Sequence, residues 1–210
     1  MLYPRLTKTG KLVEELQMVD CEEHLLSKHR IFFLNGLIVN AVEYYAWMLA
    51  LSSLSHDPIR IIITSPGGDL DSAFLLYDTM CLIKSPIETL GRYCASAAAM
   101  ILAAGKKRYL MPHAKVMLHL PAGQMTGDSR EWEIQHTQMI KYKNKMVDIL
   151  VECGAKKSHN EILADMDRDF WLEPEEAIAY GLADEIMTPE VMEKWLKQGD
   201  ERNCPIKVSG

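Results

Sequence analysis

The chain has 210 residues, of which 48% are hydrophobic and 25% are charged, a composition that allows one ordinary globular domain with a substantial core. The net charge of −6 and the scattered basic residues exclude a nucleic-acid-binding stripe, and no apolar run approaches the roughly 20 residues that span a bilayer. Five cysteines without C-x-x-C spacing indicate a reducing compartment rather than a disulfide framework or a thiolate metal site.

The first 20 residues are weakly patterned and predict a loose arm or hairpin, and the tail after Gln198 is polar and expected to fray. Between them, short apolar runs bounded by Gly, Pro or Asn predict strands at 31–34, 59–64, 86–90, 109–111 and 116–119. Apolar spacing and capping residues predict helices at 42–54, 70–83, 97–104, 130–153, 160–166 and 174–180. This alternation without an internal boundary predicts one α/β domain.

Ser96 lies in a run of small residues, Cys-Ala-Ser-Ala-Ala-Ala at 94–99, where a strand-like stretch turns into a helix-like one. Small neighbours let a substrate backbone approach the hydroxyl, and a helix that begins there aims unpaired backbone N–H groups at an oxyanion. The simpler interpretation is a helix cap. A serine nucleophile also needs a base and a group that orients the base, so the downstream sequence decides between the two.

His119 is the candidate base, because it ends an apolar strand and so lies at a strand-to-loop edge, although a lone histidine there is more often structural. The orienting carboxylate is sought among the three aspartates of 165–169, for which the simpler interpretation is a solvated helix end. Asp169 is favoured, because the apolar residues 170–172 would draw it against the core, where the His119 ring could offset its desolvation. Asp167 and Arg168 would then face outward, where they could pair with another subunit.

The Ser-Pro-Gly-Gly sequence at 65–68 follows a predicted buried strand and has two interpretations of equal weight. One is a tight turn. The other is a close approach of the backbone to a ligand, with a glycine N–H pointing at an oxyanion. It is not a phosphate loop, because no Gly-Lys-Ser/Thr follows, and no group of histidines and aspartates has metal-ligand spacing.

Five stretches in this order along the chain resemble the ClpP family of serine peptidases, the proteolytic chambers of Clp ATP-dependent proteases. They are the strand and glycine turn at 61–68, the Leu-Tyr-Asp-Thr-Met helix at 76–80, the serine segment at 95–105, the Val-Met-Leu-His strand at 116–119 with Pro121, and Arg168-Asp169 with the helix after it. The resemblance covers about residues 2–188.

The resemblance implies a β-β-α superhelix of the crotonase type with a protruding handle helix, and a serine endopeptidase without metal or bound cofactor. It assigns Ser96 as the nucleophile, His119 as general base and then acid, and Asp169 as the orienting carboxylate. The backbone N–H groups of Gly68 and Ala97 would form the oxyanion hole.

The resemblance also implies an assembly of two stacked seven-membered rings, a tetradecamer of this chain, that receives unfolded polypeptides from a hexameric AAA+ Clp unfoldase. ATP would be used by that partner. Residues 1–20 would form the axial gate, 21–198 the peptidase domain, about 123–153 the handle and 199–210 a flexible tail. Arg168 would make an ion pair between the rings. The expected location is the cytoplasm, with an organelle matrix as the alternative, and no nucleic acid or membrane is expected as a partner.

The chain departs from the family pattern around these motifs. Ala97 and Ala98 stand where the family usually has Met-Gly, Arg92 stands where it usually has glycine, with Gly91 one place away, and Leu120 replaces the usual glutamine. The handle strand at 123–127 is poorer in glycine. Two other functions are kept open: a crotonase-type acyl-CoA hydratase or thioesterase, which needs no serine–histidine pair, and a non-catalytic subunit of a mixed ring.

Overall fold

The computed structural model describes residues 2–4, 18–124 and 126–197. Most of the predicted gate, the predicted tail and Met125 of the handle strand lie outside the described residues. The strands are β1 (Leu2–Pro4), β2 (Met18–Asp20), β3 (Ile31–Asn35), β4 (Ile59–Ser65), β5 (Ile87–Ala95), β6 (Lys107–Leu118), β7 (Phe170–Leu172) and β8 (Glu185–Ile186). The helices are α1 (Cys21–His29), α2 (Val42–Leu54), α3 (Leu70–Leu82), α4 (Ala97–Ala103), α5 (Ser129–Glu152), α6 (His159–Asp165), α7 (Pro174–Tyr180) and α8 (Pro189–Lys197).

The chain divides into two units, and the smaller one comprises residues 1–33 and 188–210. In it β1 and β2 pair antiparallel, with Tyr3 opposite Val19, which is the pairing of a hairpin. Asp20 caps α1 by accepting hydrogen bonds from the backbone N–H groups of Glu22 and Glu23, at 2.8 and 3.3 Å. Neither α1 nor α8 was predicted from the sequence pattern. Helix α1 gave no apolar signal because only Leu26 on it is buried.

The larger unit, residues 34–187, is organised around a sheet in which β4, β5, β6 and β7 lie side by side in this order and β8 lies beside β6. Strands β4, β5 and β6 are parallel to one another and are connected through α3 and α4, whereas β7 runs antiparallel to β6. Parallel strands joined by helices form a mixed α/β architecture. The predicted α/β class is confirmed.

Strands β5 and β6 are longer than the sequence predicted. Strand β5 continues to Ala95, and β6 joins the two segments predicted at 109–111 and 116–119 into one strand. The register jumps from Gly91 opposite Leu110 to Tyr93 opposite Lys115, so that Arg92 forms a bulge and residues 111–114 leave the ladder. The polar residues at these irregularities ended the apolar runs, and for that reason the pattern predicted shorter strands.

Helix α4 is buried along its whole length and packs against β5. The Thr89 hydroxyl donates a hydrogen bond to the carbonyl oxygen of Leu102 at 2.8 Å. Where the chain leaves α4, a Cβ on Gly105 would lie 2.4 Å from the same Thr89 oxygen, so that only glycine allows this close passage. Ser96 directly precedes this buried helix and so lies at the edge of the core.

Helix α5 begins with the predicted cap: Asp128 and Glu131 form a capping box, and the helix starts and ends one residue earlier than expected. Its first half carries exposed apolar side chains, Trp132 and Ile134, which are 52% and 62% exposed, whereas its buried residues all lie in the second half, at 146, 147, 149 and 150. Among the residues that the structure describes, no helix combines the length and the apolarity needed to cross a membrane.

Candidate active site

Ser96 occupies a strained backbone position between β5 and α4. Its φ and ψ angles are 57° and −125°, a conformation that costs a residue with a side chain about 1–3 kcal/mol. Its hydroxyl makes no capping hydrogen bond, and the side chain is partly exposed. Its backbone N–H donates to the carbonyl oxygen of Met117 on β6 at 2.8 Å. The strained backbone therefore leaves the hydroxyl accessible and does not use it to cap the helix.

The glycine turn at 65–68 packs directly against the serine segment. A Cβ on Gly67 would lie 2.7 Å from the carbonyl oxygen of Ala95, 2.9 Å from the Cβ of Ser96 and 3.0 Å from the nitrogen of Ala97. The φ angle of Gly67 is +92°, which residues with side chains rarely adopt. The tight-turn interpretation is therefore confirmed, and the turn also packs against the backbone of the serine segment, whereas the approach to a ligand stays a prediction.

Ile38 holds the glycine turn from its other side. The Ile38 N–H donates to the carbonyl oxygen of Gly67 at 2.8 Å, and the Asp69 N–H donates to the carbonyl oxygen of Ile38 at 2.7 Å. Because successive N–H groups of extended backbone point to opposite sides, the N–H of Gly68 between them points away from Ile38. This role of Ile38 was not predicted, because its only signal in the sequence is an apolar run after the Asn-Gly turn.

Two backbone donors near Ser96 have no acceptor among the described residues. Within residues 2–4, 18–124 and 126–197, neither the N–H of Gly68 nor that of Ala97 donates a hydrogen bond. The N–H of Ala97 is the first of a helix, where no intrahelical acceptor exists. Unpaired donors of this kind next to a serine hydroxyl can stabilise an oxyanion.

His119 and Asp169 are cross-strand neighbours. Leu118, the last residue of β6, pairs with Phe170, the first residue of β7, in antiparallel register. His119, which follows β6, therefore faces Asp169, which precedes β7. The His119 Nδ1 and Asp169 Oδ1 atoms are 3.6 Å apart, which is longer than a hydrogen bond. The imidazole is 29% exposed and the carboxylate 61% exposed.

The expectation that residues 170–172 draw Asp169 against the core is wrong. Leu172 is buried, but Trp171 is 47% exposed and its ring lies 6.0 Å from that of Tyr93. Side chains alternate along a strand, so Asp169 shares the outward face with Trp171 rather than the core face with Leu172. The Asp169 carboxylate stays hydrated and needs no partner to offset burial.

The sheet brings Ser96 and His119 to the same region without joining them. Parallel pairing sets Ala95 opposite Met117, and Ser96 and His119 follow these residues by one and two positions. In the part of the chain that the structure describes, no hydrogen bond connects the Ser96 hydroxyl to the His119 ring. Catalytic hydrogen bonds are often long before substrate binds.

A cavity of about 400 Å³ lies beside the imidazole. Its lining residues are His119, Leu120, Met166, Asp167, Arg168 and Asp169. The Leu120 N–H donates to the carbonyl oxygen of Met166 at 3.0 Å, which closes the loop after β6 onto the end of α6. Arg168 and Asp167 are exposed, as predicted.

Two cysteine thiols in this unit are poor nucleophiles. Burial raises the pKa of Cys94, which directly precedes the serine segment, and burial together with the neighbouring Cys81 raises the pKa of Cys153 to about 11. Both therefore stay protonated near neutral pH, and a protonated thiol is not nucleophilic. Ser96 is the nucleophile candidate beside the unpaired donors.

Comparison with known proteins gives a consistent result. The model of the Clp protease family matches residues 13–190. The ATP-dependent Clp protease proteolytic subunit 1 of Rhodopirellula baltica is 36% identical over 170 residues, which cover 78% of this chain and 74% of that protein. Subunit 2 of Chlamydia trachomatis serovar D is 35% identical, with 78% and 83% covered, and the chloroplastic subunit 4 of Arabidopsis thaliana is 34% identical, with 78% and 58% covered.

These matches run across the glycine turn, the serine segment, the histidine strand and the aspartate segment alike. They do not favour the acyl-CoA hydratase or thioesterase alternative, and they confirm the resemblance drawn from the five motifs. The chain belongs to the Clp protease family.

Proposed function

We propose that this chain is the proteolytic subunit of a Clp protease and that it cleaves peptide bonds through an acyl-enzyme formed on Ser96. The observation that carries the proposal is the pairing of a strained serine with two unpaired backbone N–H groups, held together by close packing of the glycine turn. A serine that only capped α4 would need neither the strain nor the unpaired donors.

In the proposed reaction, the Ser96 hydroxyl oxygen attacks the carbonyl carbon of the peptide bond while the His119 ring takes its proton. The negative charge that develops on the carbonyl oxygen is held by the N–H groups of Gly68 and Ala97. His119 then gives the proton to the leaving amine, and the C–N bond breaks. A water molecule, activated by the same imidazole, hydrolyses the acyl-enzyme and restores the Ser96 hydroxyl. No metal or bound cofactor takes part.

Asp169 would orient the imidazole and stabilise its charged form. The gap of 3.6 Å to His119 and the exposure of Asp169 leave this contact adjustable in the single chain. Arg168, the preceding residue, is exposed and would pair with a residue of the opposite ring. Because the two residues are adjacent in the chain, such an ion pair would shift Asp169 and so link ring assembly to the geometry of the site.

The assembly that we propose is two stacked heptameric rings of this chain, with residues 1–20 as the axial gate and α5 as the handle. Exposed apolar side chains on α5, among them Trp132, Ile134 and Ile140, support a contact surface there, because they lie on the part of the helix that precedes its buried residues. The relatives' names specify an ATP-dependent protease, which supports a AAA+ Clp unfoldase as the ATP-using partner that delivers unfolded polypeptides.

The scattered cysteines support a location in the cytoplasm, and the chloroplastic relative keeps an organelle matrix as the alternative location.

The decisive experiment compares the wild type with Ser96→Ala on a fluorogenic peptide and with a serine-directed phosphonate. We expect the variant to lose at least about 10⁴-fold in kcat, because no other group beside the donors can attack the carbonyl. The phosphonate should label wild-type Ser96 stoichiometrically and leave the variant unlabelled.

Sedimentation of the same samples is the control, since Ser96→Ala should leave the oligomer unchanged. Variant activity near that of the wild type would overturn the assignment of Ser96. A wild-type chain that assembles but neither turns over peptide nor reacts with the phosphonate would instead be the non-catalytic subunit of a mixed ring.

A further inference from the structure

Helix α3, which begins directly after the glycine turn, is tied to α5 by two tyrosine hydroxyls. The Tyr142 hydroxyl on α5 lies 2.8 Å from Oδ1 and 3.0 Å from Oδ2 of Asp71, in the first turn of α3. The Tyr77 hydroxyl on α3 donates to Oε2 of Glu152, at the end of α5, at 3.1 Å. The first hydrogen bond is next to the glycine turn, and the second lies about two helical turns further along α3.

Tyr142 lies where α5 changes from an exposed helix to a buried one. Its ring lies 5.8 Å from that of Phe74 on α3, and the Lys145 ammonium group covers the same Phe74 ring at 4.7 Å. Before Tyr142 the apolar residue Ile140 is 41% exposed, and after it Met146 is fully buried. The hydrogen bond to Asp71 raises the pKa of Tyr142, which keeps the hydroxyl protonated and able to donate.

Short connections lead from Asp71 to the oxyanion donors. Asp69 caps α3 by accepting a hydrogen bond from the Ser72 N–H at 2.7 Å, which fixes the first turn of the helix to the residue after Gly68. Ile38 holds the same residue through its carbonyl oxygen. The turn is thus fixed by Ile38 on one side and by the first turn of α3 on the other, and Asp71 is the point where α5 contacts that first turn.

We propose that Tyr142 is a positioning residue that, by holding Asp71, sets the distance between the Gly68 N–H and the Ser96 segment. The inference rests on the proposed function, since it gives this distance a role in peptide cleavage. Gly67 packs so closely against Ser96 that no Cβ would fit between them. A small displacement of α3 therefore moves the Gly68 N–H relative to the Ala97 N–H. Displacements of about 1 Å can reduce a rate by about 10²-fold.

The test compares Tyr142→Phe with Tyr77→Phe, because each removes one tyrosine–carboxylate hydrogen bond between the same two helices and keeps the ring. For Tyr142→Phe we expect kcat to fall about 5- to 20-fold with KM changed by less than about twofold, since the donors act on the transition state rather than on bound substrate. For Tyr77→Phe we expect both constants to stay within about twofold of the wild type.

Variants of the acceptor separate the hydrogen bond from a general loss of structure. Asp71→Asn keeps an oxygen that accepts from Tyr142, so it should retain kcat within about twofold, whereas Asp71→Ala should match Tyr142→Phe. The double variant Tyr142→Phe/Asp71→Ala should be no slower than either single variant, because both remove the same contact.

Hydrogen–deuterium exchange of residues 65–73 tests the positioning without relying on activity. Faster exchange there in Tyr142→Phe, and not in Tyr77→Phe, supports the proposal even if the wild type proves to lack peptidase activity, a result that would remove the proposed function alone. The proposal is overturned if Tyr142→Phe leaves both kcat and exchange unchanged, if it raises KM alone, or if Asp71→Asn is as slow as Asp71→Ala.

Discussion

The serine half and the histidine half of the candidate site are held in place by different means. Around Ser96 the positions are set by backbone packing: a Cβ on Gly67 would lie 2.9 Å from that of Ser96, and one on Gly68 would lie 2.3 Å from the carbonyl oxygen of Ile38. Around His119 the positions are set by side chains: the Asp169 carboxylate is 61% exposed and lies 3.6 Å away. The serine half is therefore sensitive to small displacements of its backbone, whereas the histidine half can adjust its side chains.

This difference indicates which interactions a single chain completes and which it leaves to its surroundings. Backbone donors cost no side-chain entropy to position, so one folded chain is sufficient to hold them. A partly buried imidazole and an exposed carboxylate gain little from pairing, since a pair in contact with water contributes about 0–1 kcal/mol. The histidine half is accordingly the part of the candidate site whose geometry is easiest to change.

The largest effect in this comparison is expected from Gly68→Ala. Its Cβ would overlap the Ile38 carbonyl, and the resulting shift of the turn would displace the donor at residue 68. Loss of one oxyanion donor costs about 10²–10³-fold in kcat, and we expect a loss of this size in peptide assays.

Gly154→Ala is the matched control for Gly68→Ala. Gly154 also has a positive φ angle, +99°, but a Cβ there would meet nothing within 4 Å. It should lower stability by about 1 kcal/mol through backbone strain and leave kcat unchanged. Equal losses of activity in the two variants would contradict the rigid serine half.

A smaller effect is expected from Asp169→Asn. The exposed carboxylate gives the imidazole less support than a buried one would, so we expect kcat/KM to fall about 10- to 100-fold rather than the 10⁴-fold found for a buried triad aspartate. Steady-state kinetics on a fluorogenic peptide measures the loss.

Asp167→Asn is the control for Asp169→Asn, because Asp167 lines the same cavity and is also exposed. It should stay within about twofold of the wild type. A full 10⁴-fold loss in Asp169→Asn would contradict the adjustable histidine half.

The smallest effect is expected from Asp184→Asn, which changes neither half of the site. The Arg108 backbone N–H and Nε donate to the Asp184 carboxylate at 2.9 and 3.1 Å. Burial raises the pKa of Asp184, but the hydrogen bonds and the charge of Arg108 outweigh it and hold the pKa below its usual value. The ionised carboxylate therefore contributes stability above the pKa of the unfolded chain, about 3.9, and loses it as the pH falls through the lower folded pKa.

Denaturant unfolding of the wild type and Asp184→Asn at several pH values measures this contribution. We expect a difference of about 1 kcal/mol or less at pH 7, because the carboxylate is partly exposed, and a difference that shrinks below about pH 4. Peptidase activity at pH 7 should stay within about twofold. A stability difference that is the same at all pH values would show that the charge of Asp184 is not its cause.

Local chemistry made much of this site predictable. Small residues around Ser96, the two glycines after a buried strand and the histidine at a strand end each follow from short stretches of sequence. Capping residues predicted the start of α5 to within one residue. The α/β class followed from alternating patterns, and the order of the motifs along the chain predicted the family.

Contacts between distant segments were not predictable in this way. Nothing near Ile38 shows that its backbone holds the glycine turn, and nothing near Tyr142 shows that its hydroxyl reaches Asp71. The joining of two predicted segments into β6 and the exposure of Asp169 depended on strand register, which no single segment specifies.

The sequence by itself predicted the candidate residues of the site and determined where much of the chain turns, because caps, small side chains and glycine conformations act over a few neighbouring residues. Only the tertiary structure decided how far apart these residues lie and which of them are hydrated, because distance and exposure depend on pairing register and packing between segments tens of residues apart.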